Sequence, residues 1–365
     1  MRAALVYDRV NRWGGAERVL LALHQIFPQA PLYTAVYNPK TAPWAKNFQV
    51  IPSFLQKFPF AKDHHEIYPW LTPLAFESFN FDFFDIVISV TSAEAKGIIT
   101  KPSTLHICYC LTPTRYLWSG YQDYFRQPIF KFLSQPVVSY LRSWDQVTAQ
   151  RVDQYLAISE NVRRRIKKYY NRQSTVIYPP VDTKKLKAQN SKRKTQKDSF
   201  FLIVSRLVPY KRVDTAVKAF NKLGLPLLII GDGVERKYLE RLANKNIKFL
   251  GQNLTEAQLL GYYQNCRALI LPGEEDLGLA VLEAQACGRP VIAFKRGGAR
   301  ETVVEGKTGE FFYPQKWEIL AKTVSQFDEK RYNLEDCRKN ALKFDQEIFK
   351  KKFRRLIEKI WQKHR

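Results

Sequence analysis

Short apolar runs alternate with helix-forming stretches along this 365-residue chain, and the alternation stops at a proline pair and then starts again. Ala3-Ala4-Leu5-Val6-Tyr7 reads as a buried strand that passes through Trp13-Gly14-Gly15 into a strong helix over 16–24. Further strands are predicted at 85–89, 105–109 and 154–158, the last followed by a helix that Ser159 can cap. Strands and helices in strict alternation predict a parallel sheet with helices on both faces, because parallel neighbours need a crossover between them.

The interruption is Ile177-Tyr178-Pro179-Pro180-Val181-Asp182, followed by a lysine-rich polar run over 184–197 that reads as linker and loop. Strand-like runs resume at 200–205, 227–231, 247–251, 268–272 and 290–294. The fold class expected is therefore α/β, with two Rossmann-like doubly wound domains over 1–180 and 181–342, and the length suits two domains.

Composition limits the function classes. A 45% hydrophobic and 14% aromatic content supplies ample core, while the formal charge of +25 is spread over both halves. Such a surface favours anionic partners, either nucleic acid or the anionic cytoplasmic leaflet of a membrane. Cys108 and Cys110 sit in an apolar run and the five cysteines make no metal or disulfide framework, so buried inert thiols are expected. The start turns polar too soon for a secretory leader, and no run reaches the length needed to span a bilayer. A cytoplasmic protein that lies peripherally on the inner face of the plasma membrane fits these features.

The most chemically informative stretch is Glu274-Glu275-Asp276-Leu277-Gly278-Leu279-Ala280-Val281-Leu282-Glu283-Ala284-Gln285-Ala286-Cys287-Gly288-Arg289-Pro290. A helix is predicted over 279–287, opened by Gly278 and stopped by Gly288 with Pro290 beyond. The N–H groups of Gly278, Leu279 and Ala280 have no acceptor one turn back and the helix dipole adds positive charge there, which makes an anion site. Glu275 and Glu283 on either side would repel a bare phosphate but accept hydrogen bonds from hydroxyls. A diphosphate flanked by sugar hydroxyls, as in a nucleotide-sugar, suits that combination. Arg206 and Lys211 follow the 200–205 strand, at the carboxyl end where open α/β sheets hold ligands, and can face a diphosphate.

This stretch, completed by Val291-Ile292-Ala293, resembles the donor-site motif of retaining glycosyltransferases of family four, a GT-B group, and is nearest to bacterial mannosyltransferase-like enzymes of surface polysaccharide synthesis. The resemblance covers nearly the whole chain and implies two domains facing a cleft. It also implies a final helix, here 343–365, that crosses back to the first domain, with Phe344, Ile348, Phe353, Leu356, Ile357, Ile360 and Trp361 as its apolar stripe.

On that resemblance Arg206 and Lys211 neutralise the donor phosphates, Glu275 contacts donor-sugar hydroxyls near the anomeric centre, and Glu283 holds the ribose. Gly251 matches the turn flanking the base, and Gly14 with Gly15 the turn that approaches diphosphate and acceptor. Transfer retains the anomeric configuration, the leaving phosphate assisting the acceptor hydroxyl. No metal is implied, in keeping with the lack of any Asp-x-Asp pair, and no cofactor is expected beyond the donor itself. The acceptor implied is a glycan or polyprenyl-linked sugar.

One departure stands out. Tyr109-Cys110-Leu111-Thr112-Pro113-Thr114-Arg115-Tyr116-Leu117-Trp118 resembles a family stretch that carries histidine where Leu111 stands, facing the donor sugar. Leucine cannot bond a hydroxyl or relay a proton. Three readings stay open: a donor lacking the matching hydroxyl, such as a deoxy-sugar or pentose; compensation by another group; or a weak or inactive homologue.

Two aromatic and basic regions, 54–84 and 126–141, suit either first-domain core or a headgroup interface that receives a lipid-linked acceptor. A nucleic-acid-binding protein is the rival reading of Arg163-Arg164-Arg165 and the 184–197 lysines, but no nucleic-acid module accompanies them. A dinucleotide-dependent oxidoreductase shares the architecture, yet neither Gly14-Gly15 nor Gly231-Asp232-Gly233 supplies the three-glycine fingerprint.

Overall fold

The computed structural model describes residues 1–124, 127–187 and 200–364. The chain divides into two compact units, Met1–Pro180 together with the chain from Phe349 on, and Val181–Ile348.

The first unit is built on seven parallel strands: β1 (Ala3–Tyr7), β2 (Leu32–Thr34), β3 (Val50–Pro52), β4 (Ile86–Thr91), β5 (Leu105–Cys110), β6 (Gln154–Ala157) and β7 (Ser174–Val176), in the order β3-β2-β1-β4-β5-β6-β7. Every residue of β4 and β5 is buried, as expected of strands covered on both faces. Strand order reverses between β1 and β4, whose registers align Ala3 with Ile86 and Tyr7 with Val90. The loops leaving β1 and β4 therefore diverge to opposite sides and leave a crevice at their carboxyl ends.

The helix Gln346–His364 packs Phe349 and Phe353 edge-on to the buried ring of Tyr109, at centroid distances of 5.9 and 6.1 Å. Its inward face is Phe349, Phe353 and Ile357. Ile348, expected in the stripe, is instead 38% exposed, because the helix is rotated to bring Phe349 onto the core. The 54–84 region divides: Phe79, Phe81 and Phe84 pack around Tyr33 and Phe54 and Phe76 join the same cluster, whereas Phe60, Trp70, Leu74 and Phe83 face solvent.

The second unit holds six parallel strands: β8 (Phe201–Val204), β9 (Leu227–Ile230), β10 (Ile247–Gly251), β11 (Leu269–Leu271), β12 (Val291–Phe294) and β13 (Gly309–Phe312), ordered β10-β9-β8-β11-β12-β13. Here the reversal falls between β8 and β11. The loops that follow them, 205–212 and 272–278, carry Arg206, Lys211 and Glu275. The lysine-rich run begins as a short helix, Thr183–Lys187, rather than as linker; its remainder, 188–199, lies outside the described residues.

Candidate active site

The 205–212 loop turns through a 3-10 segment, Pro209–Lys211, and Arg212 in the left-handed region starts the helix Val213–Leu223. That turn aims the Lys211 ammonium at Glu275 Oε1, and the two form an ion pair with side chains only 12% and 17% exposed. Arg206, exposed at the head of the loop, donates from Nη2 to the Tyr210 hydroxyl at 2.7 Å. The loops press together: a Cβ on Gly273 would stand 2.5 Å from the Lys211 carbonyl oxygen.

Gly278 adopts φ +89° and caps the helix Leu279–Ala286, which ends one residue before the expected Cys287. The Gly278 carbonyl accepts Val281 N–H at 3.0 Å, so the N–H groups of Leu279 and Ala280 form the helix's open end. Four residues further in, Glu283 is 5% exposed and accepts the Tyr263 hydroxyl at Oε2, 2.6 Å away. Tyr263 is itself buried on the helix Glu256–Asn265. Gly251, at φ +72° at the end of β10, accepts Gly231 N–H at 2.8 Å and so joins the rim formed by the loop after β9.

Sequence reasoning missed the support under Glu275. Gly297 and Gly298, after β12, lie against the 275–277 backbone: Glu275 bridges to Gly297, and Gly298 N–H donates to the Glu275 carbonyl at 2.8 Å. The Gly-Gly pair that begins three residues past a strand was the available signal, and Tyr263, buried on a short helix, gave none.

Of the remaining candidates, Gly15 is the first residue of the helix Gly15–Ile26 in the first unit, with Gly14 as its extended N-cap. Leu111 is half-buried just past β5 and donates its N–H to the Thr91 carbonyl at 2.8 Å. The carboxyl ends of β1, β4 and β5 also bury charges that the sequence did not single out. Asp8 accepts the Thr91 hydroxyl at 2.6 Å and the N–H groups of Ser92 and Ala95 at 2.7 and 2.9 Å. Glu94 accepts the Tyr116 hydroxyl, and burial pushes its carboxyl above the ordinary range while the Arg9 charge pulls it down. Burial works against the Lys96 charge, but the facing Asp145 outweighs it and holds the ammonium above the usual lysine range.

Residues 184–344 match the family model for glycosyl transferases group 1. HepE from Anabaena, solved with UDP and glucose, superposes over 98% of this chain and 100% of its own, with a TM-score of 0.71 at 17% identity. The chain has the GT-B fold. Among curated relatives, it is 34% identical over 179 residues to a GDP-mannose-dependent monoacylated alpha-(1-6)-phosphatidylinositol monomannoside mannosyltransferase of Corynebacterium glutamicum, covering 42% of this chain and 47% of that protein. An uncharacterized glycosyltransferase of Methanocaldococcus jannaschii is 28% identical over 167 residues, 43% of this chain and 44% of that one. The chain spans less than half the length of these relatives. Within the GT-B fold, the group 1 match contains the Lys211–Glu275 pair, the Gly278 helix start and Glu283.

Proposed function

We propose that this GT-B chain is a retaining, metal-independent glycosyltransferase that moves a sugar from a nucleoside-diphosphate donor to a glycan or polyprenyl-linked acceptor. The observation that carries the reading is the Lys211–Glu275 pair set beside the open end of the Gly278 helix, at the point where the second sheet reverses its strand order. Cation and helix N-terminus together suit a diphosphate, and the carboxylates suit hydroxyls. Arg206 and Lys211 stabilise the charge that develops on the leaving diphosphate as the sugar–phosphate bond breaks. Glu275 receives sugar hydroxyls, Glu283 the ribose, and Gly251 flanks the base. The acceptor oxygen bonds to the anomeric carbon on the face the phosphate leaves, and its proton passes to that phosphate. Gly15 and Leu111 are the first unit's candidates; the resemblance favours a GDP-mannose-like donor, while leucine at 111, which cannot bond a hydroxyl, favours a deoxy-sugar or pentose donor.

A lipid-linked acceptor agrees with the exposed Ile129, Phe132 and Leu133 at the head of the helix Pro128–Gln150, which are 73%, 71% and 66% exposed beside Lys131. Such a face suits the headgroup region of an anionic membrane. No described helix is long and apolar enough to cross one.

A thermal-shift series over nucleoside diphosphates and their sugars tests the donor reading, since a ligand of the folded state raises Tm with occupancy. At least one diphosphate should stabilise the protein and lose that effect in Glu283→Ala; silence from all of them at millimolar concentration rejects the reading. Sedimentation with anionic vesicles at low salt tests the membrane face.

A further inference from the structure

The turns at the carboxyl ends of β4 and β5, residues 93–97 and 111–118, both fasten to Asp145 on the helix Pro128–Gln150, the first through an ion pair from Lys96 that solvent does not reach and the second through hydrogen bonds from Thr114 and Trp118. Lys96 and Asp145 are each 1% exposed. The Lys96 ammonium donates to the Ala93 carbonyl at 2.7 Å, the Thr114 hydroxyl at 3.2 Å and Asp145 Oδ1. Asp145 in turn accepts the Thr114 hydroxyl at Oδ1, 2.6 Å away, and the Trp118 indole N–H at Oδ2, 2.7 Å away. The Tyr170 ring lies 5.3 Å from the ammonium and its hydroxyl accepts Thr114 N–H. One buried carboxylate is thus saturated by an ammonium, a hydroxyl and an indole, and two of those three donors belong to the turn that begins at Leu111.

Burying a lysine and an aspartate is a poor way to stabilise a fold, because the desolvation they suffer is commonly not repaid and apolar replacements do as well. The pair does fix geometry. It clamps the 111–118 turn at Thr114 and Trp118, while the neighbouring Glu94 holds the same turn at Tyr116. Lys96 follows β4, one of the two strands between which the sheet reverses its order, and an open parallel sheet holds its ligand at the carboxyl ends of such strands.

We infer that Lys96 and Asp145 are positioning residues: acting through Thr114 and Trp118, they hold the Leu111-bearing turn in the one shape that transfer requires. The inference rests on the glycosyltransferase reading, under which the donor's nucleotide is held by the second unit. Misplacement of a substrate-facing turn by about 1 Å lowers turnover about a hundredfold.

The test is Lys96→Met with Asp145→Leu, which removes both charges together. The double variant should melt close to wild type and keep its nucleotide-induced Tm shift. Its kcat should drop by about a hundredfold with donor KM unchanged, and amide exchange should quicken over 111–118 but not along β5. Should that variant not fold, Thr114→Val and Trp118→Phe leave the ion pair in place and should lose kcat in the same sense. A folded double variant with wild-type kcat and unchanged exchange overturns the inference. If the wild type transfers no sugar at all, the functional reading fails instead, and unchanged exchange over 111–118 would still refute the clamp.

Discussion

A Cβ added to Gly297 would stand 2.3 Å from the carbonyl oxygen of Glu275. No side chain fits that gap, and Gly297 also holds φ +63°. The carboxylate that pairs with Lys211 is thus set from beneath by a glycine on a different strand's loop. Gly297→Ala should cost about 1–3 kcal/mol in denaturant unfolding. The same variant should blunt the nucleotide-induced rise in Tm, because any relief of the clash moves the 275–277 backbone.

Lys211 and Glu275 are 64 residues apart, and their pairing depends on β8 and β11 being neighbours in the sheet. Lys211→Met should lower kcat about 10²–10³-fold, as loss of one preorganised donor to a developing anion does elsewhere. Tm should move by only a few degrees, since the loops' backbone contacts remain. Steady-state kinetics with the stabilising donor checks it. A loss confined to KM would make Lys211 a ground-state anchor.

The strands most legible in the sequence were those buried on both faces, such as Ile86–Thr91 and Leu105–Cys110, whose apolar runs are continuous. Leu32–Thr34, Val50–Pro52 and Ser174–Val176 were not singled out, since threonine, proline or serine cuts each three-residue stretch short of a continuous apolar run. Gly309–Phe312 was missed because it opens with glycine and glutamate. Glu275, Glu283, Arg206 and Lys211 were visible through local motifs. Their partners Gly297 and Tyr263 were not, since a contact between loops of different strands leaves no local pattern. Asp8, Lys96 and Asp145 were hidden for another reason: charged residues are ordinarily surface residues, and only a buried partner distant in sequence reverses that expectation.

Leu111→His should change donor preference rather than abolish function if Leu111 lines the sugar pocket. Imidazole adds a donor or acceptor where leucine has none, so a donor carrying the matching hydroxyl should gain about 1 kcal/mol of discrimination. Relative kcat/KM across a donor panel measures this, and an unchanged ranking would place Leu111 away from the sugar.

His106 gives a pH dependence with a definite sign. It is fully buried in β5, its Nε2 2.9 Å from the Ser89 hydroxyl, and burial lowers its pKa from 6.5 to about 3. Above pH 6.5 the ring is neutral in both folded and unfolded chains and contributes nothing. As pH falls below 6.5 the unfolded chain takes up a proton that the folded one refuses, so stability is lost until the pH nears 3. The loss from this group should reach about 2 kcal/mol by pH 5. Replacing the pair by Ser89→Ala with His106→Leu should flatten the stability profile between pH 6.5 and 5 by that amount, measured by urea unfolding.

Tyr263→Phe separates the fold of the donor unit from its grip on the nucleotide. Glu283 is 95% buried by the helices around it, and the Tyr263 hydroxyl at 2.6 Å both satisfies and orients one of its oxygens. Removing that hydroxyl leaves a buried carboxylate short of a donor, which should cost about 1.5–3 kcal/mol of stability, in the range for hydrogen bonds to charged groups. The carboxylate is then free to turn toward other donors, and a ribose that needs it held in place should bind about tenfold more weakly, or about 1.4 kcal/mol. Calorimetric titration of the stabilising nucleoside diphosphate into Tyr263→Phe reads the second effect at a temperature where the variant is folded. Weakened stability with unchanged affinity would assign Glu283 to the core of the second unit and leave the ribose to another residue.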